Sequence, residues 1–457
     1  MASPSPTVPA SAPTPDADSS RPLWPFLVAL SCVAGLAELA FIIVNVSALP
    51  VYLKNGLGLP SLPGLALACF YLAEALGNSP MGVLSDRVGR RRLMVTGACV
   101  SVATCLITAF IRPPREGGPG EWLAVAALLG LRLADGLGAA MLWPAVFATV
   151  GDRVAASKQA QAMSALNITY LIGIAFGPFV GGWVNDTFGV RYPESDPRRY
   201  VPSFLVAAGC FAATAVIAFF VAPSRSRVAY TPTDAAPEIA AAQGVAKTIA
   251  DKGGASPLAA LQKAIREVPT LLVLGFLIFF GVGLIAPYVK PYFMARFDLT
   301  ESEFGTLLLW PALIIAAVSL PIGKLADVWG KSRAIHVGMG VCAVALWIIL
   351  FLKHQWSMVL VGSLLGVGFI LAFPAYMAYL AELTGPEERA GMIGAVRMAQ
   401  GVGALLGAAL ASPLYALDPA HHSLFISAST LVTIGFALSL LYVKPQPTDK
   451  TPSVAAH

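Results

Sequence analysis

Six ionisable side chains stand where membrane-embedded chains seldom place them. Glu38, Glu74, Arg132, Asp135, Lys290 and Arg397 each interrupt a long apolar run. A charge at the bilayer centre costs roughly 2.5–3.5 kcal/mol on insertion scales, so such groups face a cavity or a partner rather than lipid. Glu38 falls about fourteen residues into the first run, near mid-membrane, where a carboxylate can exchange a proton or attract a cation. Asn45 lies two turns further along the same side. Glu74 sits at similar depth in the second run and either joins this chemistry or bonds a neighbouring helix. Arg132 and Asp135 are three residues apart and so share one helix face, as a pair or as a tuned acceptor. The deep charges of the second half are basic. Lys290, between Pro287 and Pro291, either reaches outward to the interface or meets substrate, and Arg397 either pairs at a gate or does the same. Carboxylates thus crowd one half and cations the other.

The elements that hold these residues are membrane spans. Hydrophobic residues make up 57% of the 457-residue chain and charged ones only 12%, with a mean hydropathy of +0.73, outside the range of soluble domains. Apolar runs lie near 24–53, 63–85, 92–112, 122–151, 161–185 and 201–222, then near 269–296, 303–325, 334–353, 358–383, 390–416 and 423–443, each long enough to cross hydrocarbon. An all-α membrane protein of twelve transmembrane helices in two six-helix bundles follows, 22–222 and 269–444. A Pro/Ser/Ala-rich tail (1–21), a polar linker (223–268) and a second tail (445–457) complete it. Within the linker, Leu258, Leu261, Ile265 and Val268 recur at helical spacing opposite Lys263 and Arg266, which predicts a surface helix.

Lys and Arg concentrate in the tails and in the connections on the same side, so both termini are expected in the cytoplasm of a multi-pass cell-membrane protein. The net charge of +5 is therefore a topology signal, and no nucleic-acid partner is expected. The six cysteines form no CxxC pair, and neither a disulfide framework nor a metal site is predicted.

The halves repeat. A shift of 241 residues places Gly82, Leu84, Asp86 and Gly89 on Gly323, Leu325, Asp327 and Gly330, and Pro50 on Pro291. Later in each half a shift of 230 aligns Pro144 and Ala145 with Pro374 and Ala375, Asp152 with Glu382, and Gly173 and Gly177 with Gly403 and Gly407. Parallel six-helix repeats are a transporter architecture.

Three motifs carry a family resemblance. GVLSDRVGRR from Gly82, with its weaker copy GKLADVWGK from Gly323, resembles the loop signature G-x-L-x-D-x-x-G-[RK] of the major facilitator superfamily. Asp86 is an anion at the membrane edge that can meet a helix N-terminus or an arginine. The resemblance implies gating loops at Gly82, Asp86, Gly89, Arg90, Gly323, Asp327, Gly330 and Lys331. LRLADGLGAA around Arg132 is similar to the superfamily's R-x-x-Q-G proton-linked signature, with Asp135 in place of Gln. GIAFGPFVGG from Gly173 resembles G-x-x-x-G-P-x-x-G-G of the drug/proton antiporter branch. It implies a packing hinge at Gly173, Gly177, Pro178, Gly181 and Gly182, since small residues let helices approach and proline removes a backbone donor.

The expectation is a secondary transporter, a proton-coupled antiporter exporting a small amphipathic or cationic compound by alternating access. It would be no enzyme, would need no cofactor beyond the proton gradient, and would act as a monomer in the bilayer. Proton-linked uptake or exchange of a small organic anion through Arg132, Lys290 and Arg397 is the alternative, with a transporter-like sensor behind it. A nucleotide-driven pump is excluded, because the nearest phosphate-loop match, Gly330-Lys331-Ser332, has Leu325 where the first glycine must stand.

Overall fold

The computed structural model describes residues 23–111, 120–154, 156–222, 257–384, 389–418 and 422–445. The first tail, most of the linker and the end of the second tail lie outside them. Twelve long helices run in chain order: α1 (Trp24–Gly56), α2 (Leu62–Val88), α3 (Arg90–Ala109), α4 (Gly120–Arg153), α5 (Ala156–Phe188) and α6 (Val201–Val221). In the second half α7 runs as Pro269–Ile285 and, after a bend of 49°, as Val289–Phe297. It is followed by α8 (Glu301–Trp329), α9 (Lys331–Ile349), α10 (Ser357–Leu383), α11 (Arg389–Leu417) and α12 (His422–Tyr442). Ten are long and apolar enough to cross a bilayer, and the bent α7 makes eleven. In α2 the apolar part is the shorter Leu62–Asn78, just within what hydrocarbon requires.

Local chemistry sets the breaks. Pro287 cannot donate to the helix ladder, and α7 bends there. Asp298 then takes a left-handed conformation (φ 52°), and Thr300 opens α8 with a capping box. Its hydroxyl accepts from the Glu303 backbone N–H, and the Glu303 carboxylate accepts from that of Thr300 at 2.9 Å. Between α2 and α3 the chain reverses at Gly89 (φ 102°), and between α8 and α9 at Gly330 (φ 83°). These values favour glycine, which is why the two copies of the loop motif keep it at the same place.

Helix contacts reproduce the repeat in three dimensions. A Cβ on Gly97 would stand 2.6 Å from the Gly138 carbonyl, and one on Gly338 would stand 2.5 Å from that of Gly368. Likewise Gly173 lies against Gly35 and Leu39, and Gly403 against Phe276 and Phe280. Both offsets read from the sequence, 241 and 230, therefore hold for packed neighbours.

The linker helix (Pro257–Glu267) departs from expectation. Ile265 is 54% exposed, whereas Ala264 and Val268 are buried in a cluster with Leu271, Met392 and Val396. Docking against α11 buries Val268, as the apolar spacing suggested, but takes Ala264 rather than Ile265 into the contact. Leu258 and Leu261 fall outside the described side chains.

Gly407→Ala would drive a methyl to 2.2 Å from the Phe280 carbonyl, which is backbone and cannot swing away, whereas Gly209→Ala meets nothing within 4 Å. The first is expected to destabilise by about 1–3 kcal/mol and the second to be neutral. Thermal unfolding of both variants in one detergent measures the difference.

Candidate functional site

The interior of the N-terminal half is polar. Arg132 and Asp135 on α4 are 1% and 0% exposed, with Nη1 and Oδ2 3.1 Å apart. On α3, Thr104 donates to the other Asp135 oxygen at 3.2 Å, and Thr108, one turn on, accepts from Arg132 Nη2 at 3.4 Å. Buried charges survive when each is paired and hydrogen-bonded, and these two helices divide that work.

Three further helices extend the cluster. Glu38 on α1 is buried and accepts from the Tyr170 hydroxyl of α5. Glu74 on α2 lies within electrostatic reach of Glu38 and of Asp135, with Tyr71 beside both glutamates. Three carboxyl groups so placed form one electrostatically coupled set. Asn45 stands deeper along α1, in a π-helical stretch from Ile43 to Ala48. Its amide donates to the Phe41 carbonyl at 3.1 Å, and its Oδ1 is buried without a partner. Such local widening of a helix is frequent at functional sites.

Lys290 belongs to a different structure. It is fully buried and crosses between halves, donating to the Ser47 carbonyl (2.8 Å) and hydroxyl (3.0 Å) of α1 while pairing with Glu301 at 2.5 Å. Glu301 in turn accepts from Asn185 of α5 at 3.1 Å. Asp186 accepts from the Ser302 backbone at 2.7 Å, and Tyr288 donates to the Pro60 carbonyl at 3.1 Å. Apart from the Lys290–Glu301 pair, which lies within the C-terminal half, these bonds tie one half to the other at the end remote from the chain termini, sealing that end.

At the opposite end each half carries an ion-pair clasp. Arg90 contacts Asp86 at 2.5 Å and Asp152, from the end of α4, at 3.1 Å, and it donates to Ser85 at 2.9 Å. Lys331 pairs with Glu382. Because Asp152 and Glu382 were already aligned by the repeat, the clasps are counterparts. Gly82 stands one turn before Asp86 in α2; the side-chain surroundings of Gly323 and Asp327 lie outside the described residues.

The glycine run on α5 splits its work. Gly173, Gly177 and Gly181 pack on Glu38, Ile42 and Ser47 of α1, within one half. Gly182 instead meets the Glu301 backbone, and the Pro178 carbonyl meets Gly305, across the halves. Arg397 lies 5.3 Å from the centre of the Phe373 ring, a cation–π contact. Trp143 is T-shaped against Tyr170.

A family model described as Major Facilitator Superfamily matches residues 30–282 and again 271–457. The chain belongs to the Major Facilitator Superfamily. It is similar to Multidrug resistance protein 2 of Bacillus subtilis (strain 168), 21% identical over 418 residues, covering 88% of this chain and 94% of that protein. It is also similar to the multi-drug resistance efflux pump PmrA homolog of Lactococcus lactis, at 24% identity over 80% of this chain and 82% of that one. Among solved structures, a bacterial homologue of the human drug peptide transporters PepT1 and PepT2 superposes with a TM-score of 0.64 at 15% identity, covering 92% and 97% of the two chains. The nucleoside transporter NupG does so with 0.66 at 11%, covering 92% and 99%. The fold is that of the superfamily, and the chain is a multi-pass membrane transporter.

Sequence reasoning missed Tyr170, Thr104, Thr108, Asn185 and Glu301 as site residues. Polar side chains of modest size at helix spacing give no signal until their partners are known. Glu301, at the start of a span, reads as an ordinary capping acid.

Arg132→Met would leave Asp135 buried without its cation, a loss expected to cost about 3–5 kcal/mol. Arg132→Met combined with Asp135→Leu, which places in the N-terminal half the leucine that the repeat has at 365, should recover most of it. A thermal unfolding series of the two variants reads the recovery directly.

Proposed function

We propose that this transporter is a proton-coupled antiporter that exports a small amphipathic or cationic compound by alternating access. The observation that carries this reading is the carboxyl set of Glu38, Glu74 and Asp135 inside one half, in a molecule whose halves are tied together at one end. A proton and a cationic substrate competing for that set exchange with each other, which is the elementary step of antiport. Arg132 tunes Asp135 and keeps it in place, and Asn45 offers an unpaired acceptor on the same side of α1.

The seal supports the direction of access. With both termini in the cytosol of a cell membrane, as the distribution of basic residues predicts, the bonds from Lys290 to Ser47 and from Asn185 to Glu301 close the outer end, and this conformation faces inward. Opening outward requires breaking those bonds and closing the other end. The clasps of Arg90 and Lys331 stand at that end and hold α2, α3 and α4, and α9 and α10, as rigid groups during the exchange. The printed names of the relatives, multidrug resistance protein and multi-drug resistance efflux pump, favour export of drug-like compounds.

Anion exchange is less well supported, because Lys290 and Arg132 are each committed to a carboxylate. A paired cation has little charge left for an anionic substrate.

Everted membrane vesicles energised with a proton gradient test the proposal. Wild-type vesicles should take up a cationic dye such as ethidium and release protons from the lumen as they do so. Glu38→Gln should abolish gradient-driven uptake while keeping downhill exchange of dye. Gradient-driven uptake at the wild-type rate in Glu38→Gln would refute the assigned role.

A further inference from the structure

The C-terminal half is hollow where the N-terminal half is polar. A cavity of about 470 Å³ lies among α7, α9, α10 and α12, closed on further sides by α8 and α11, a size that suits drug-sized ligands. The two repeat offsets identify what it replaces. Phe279 stands where Glu38 stands in the first half, Gly362 and Leu365 where Arg132 and Asp135 stand, and Cys342 and Ile349 where Ser101 and Thr108 stand. All of these second-half residues line the cavity. Every charged member of the polar cluster has thus become apolar or been reduced to glycine.

Among the described lining residues, one polar side chain keeps an unpaired acceptor. Gln400 is the counterpart of Tyr170, is 3% exposed, and lines the cavity. In the N-terminal half Tyr170 has Glu38 to bond; in the C-terminal half the matching position is Phe279, which offers nothing. The Gln400 Oε1 is accordingly buried with no hydrogen-bond partner. The neighbouring Tyr376 hydroxyl does not supply one, since it donates to the Leu271 carbonyl at 2.6 Å. An unpaired buried acceptor destabilises the fold, and a ligand that brings a donor relieves that cost. Phe279, Phe369 and Phe373 line the cavity from α7 and α10, and Phe369 is 44% exposed.

We propose that the interior of the C-terminal half is a binding site for an uncharged, largely apolar aromatic group bearing one N–H or O–H donor, which Gln400 receives. The assignment rests on the transport reading above and deepens it. A substrate is divided between halves, its cationic part competing with protons at the N-terminal carboxyl set and its apolar part entering the C-terminal cavity.

N-phenyl-1-naphthylamine, which has a single N–H, and its N-methyl derivative, which has none, are suitable probes. Equilibrium dialysis against the full chain in lipid nanodiscs, with empty nanodiscs as the partition control, measures saturable binding of each. The amine is expected to bind one per chain, and Gln400→Leu should weaken it by about fivefold without weakening the N-methyl compound. Leu365→Trp, which fills the cavity, should abolish saturable binding of both, with thermal unfolding confirming that the variant is folded. Equal affinities of the two probes, unchanged by Gln400→Leu, would describe a plain void that an acyl chain fills and would overturn the proposal. So would undiminished binding to a folded Leu365→Trp variant. Binding does not depend on direction or coupling, so saturable, Gln400-dependent binding without proton-linked efflux would sink the export reading alone. Efflux without such binding would sink this one alone.

Discussion

Close approach of helix backbones across the two halves is the constraint on which the rest of the molecule depends. Gly64 of α2 would place a Cβ 2.5 Å from the Ala408 carbonyl of α11, and Gly305 of α8 would place one 2.6 Å from the Pro178 carbonyl of α5. The residues of each contact are related by the repeat, so the seal is built twice by the same device. In lipid there is no hydrophobic drive between helices, and dispersion contacts at small residues do this work. Only because the backbones come this close can Lys290, already paired with Glu301 in its own half, also reach the carbonyl and hydroxyl of Ser47 in the other. A bulkier pair at the seal would strip the buried ammonium of both Ser47 acceptors.

The same repeat that makes the seal symmetric leaves the interiors free to differ. The backbone positions holding Glu38, Arg132 and Asp135 in one half hold Phe279, Gly362 and Leu365 in the other. The packing around them is conserved between halves: Gly138 beside Ser101 corresponds to Gly368 beside Cys342. One interior therefore spends its volume on hydrogen bonds and the other on apolar space. The proposed exchange of protons for an amphipathic compound would use both, and housing them in separate bundles would let each be tuned without unbalancing the other.

Much of this was legible in residue order. Apolar run length marked the spans, because hydrocarbon thickness admits few alternatives, whereas the bend of α7 at Pro287 emerged only with the structure. The motif glycines Gly89 and Gly330 announced the tight reversals that their positive φ confirms. Deep charges were conspicuous for their cost, so Glu38, Glu74, Arg132 and Asp135 could be singled out. Partners were not legible. That Lys290 would meet Glu301 rather than substrate depends on which faces of α7 and α8 turn inward, and one sequence does not give that angle. Ile265 shows the same limit on a smaller scale: apolar spacing defined a helix, but docking, not periodicity, chose its buried stripe. The cavity of the second half left no mark because it consists of residues ordinary for any membrane helix. It emerges only when the repeat is overlaid on the packed structure.

Distances across the two ends, measured by electron–electron resonance on pairs of spin labels, test the central claim most directly. One pair, at Ser195 and Lys353, spans the sealed end, and the other, at Arg92 and Val328, spans the opposite end; all four positions are exposed. In nanodiscs shifted between acidic and alkaline pH, alternating access coupled to protonation predicts that one distance lengthens as the other shortens. Distances that move together, or neither moving at any pH, would contradict the account.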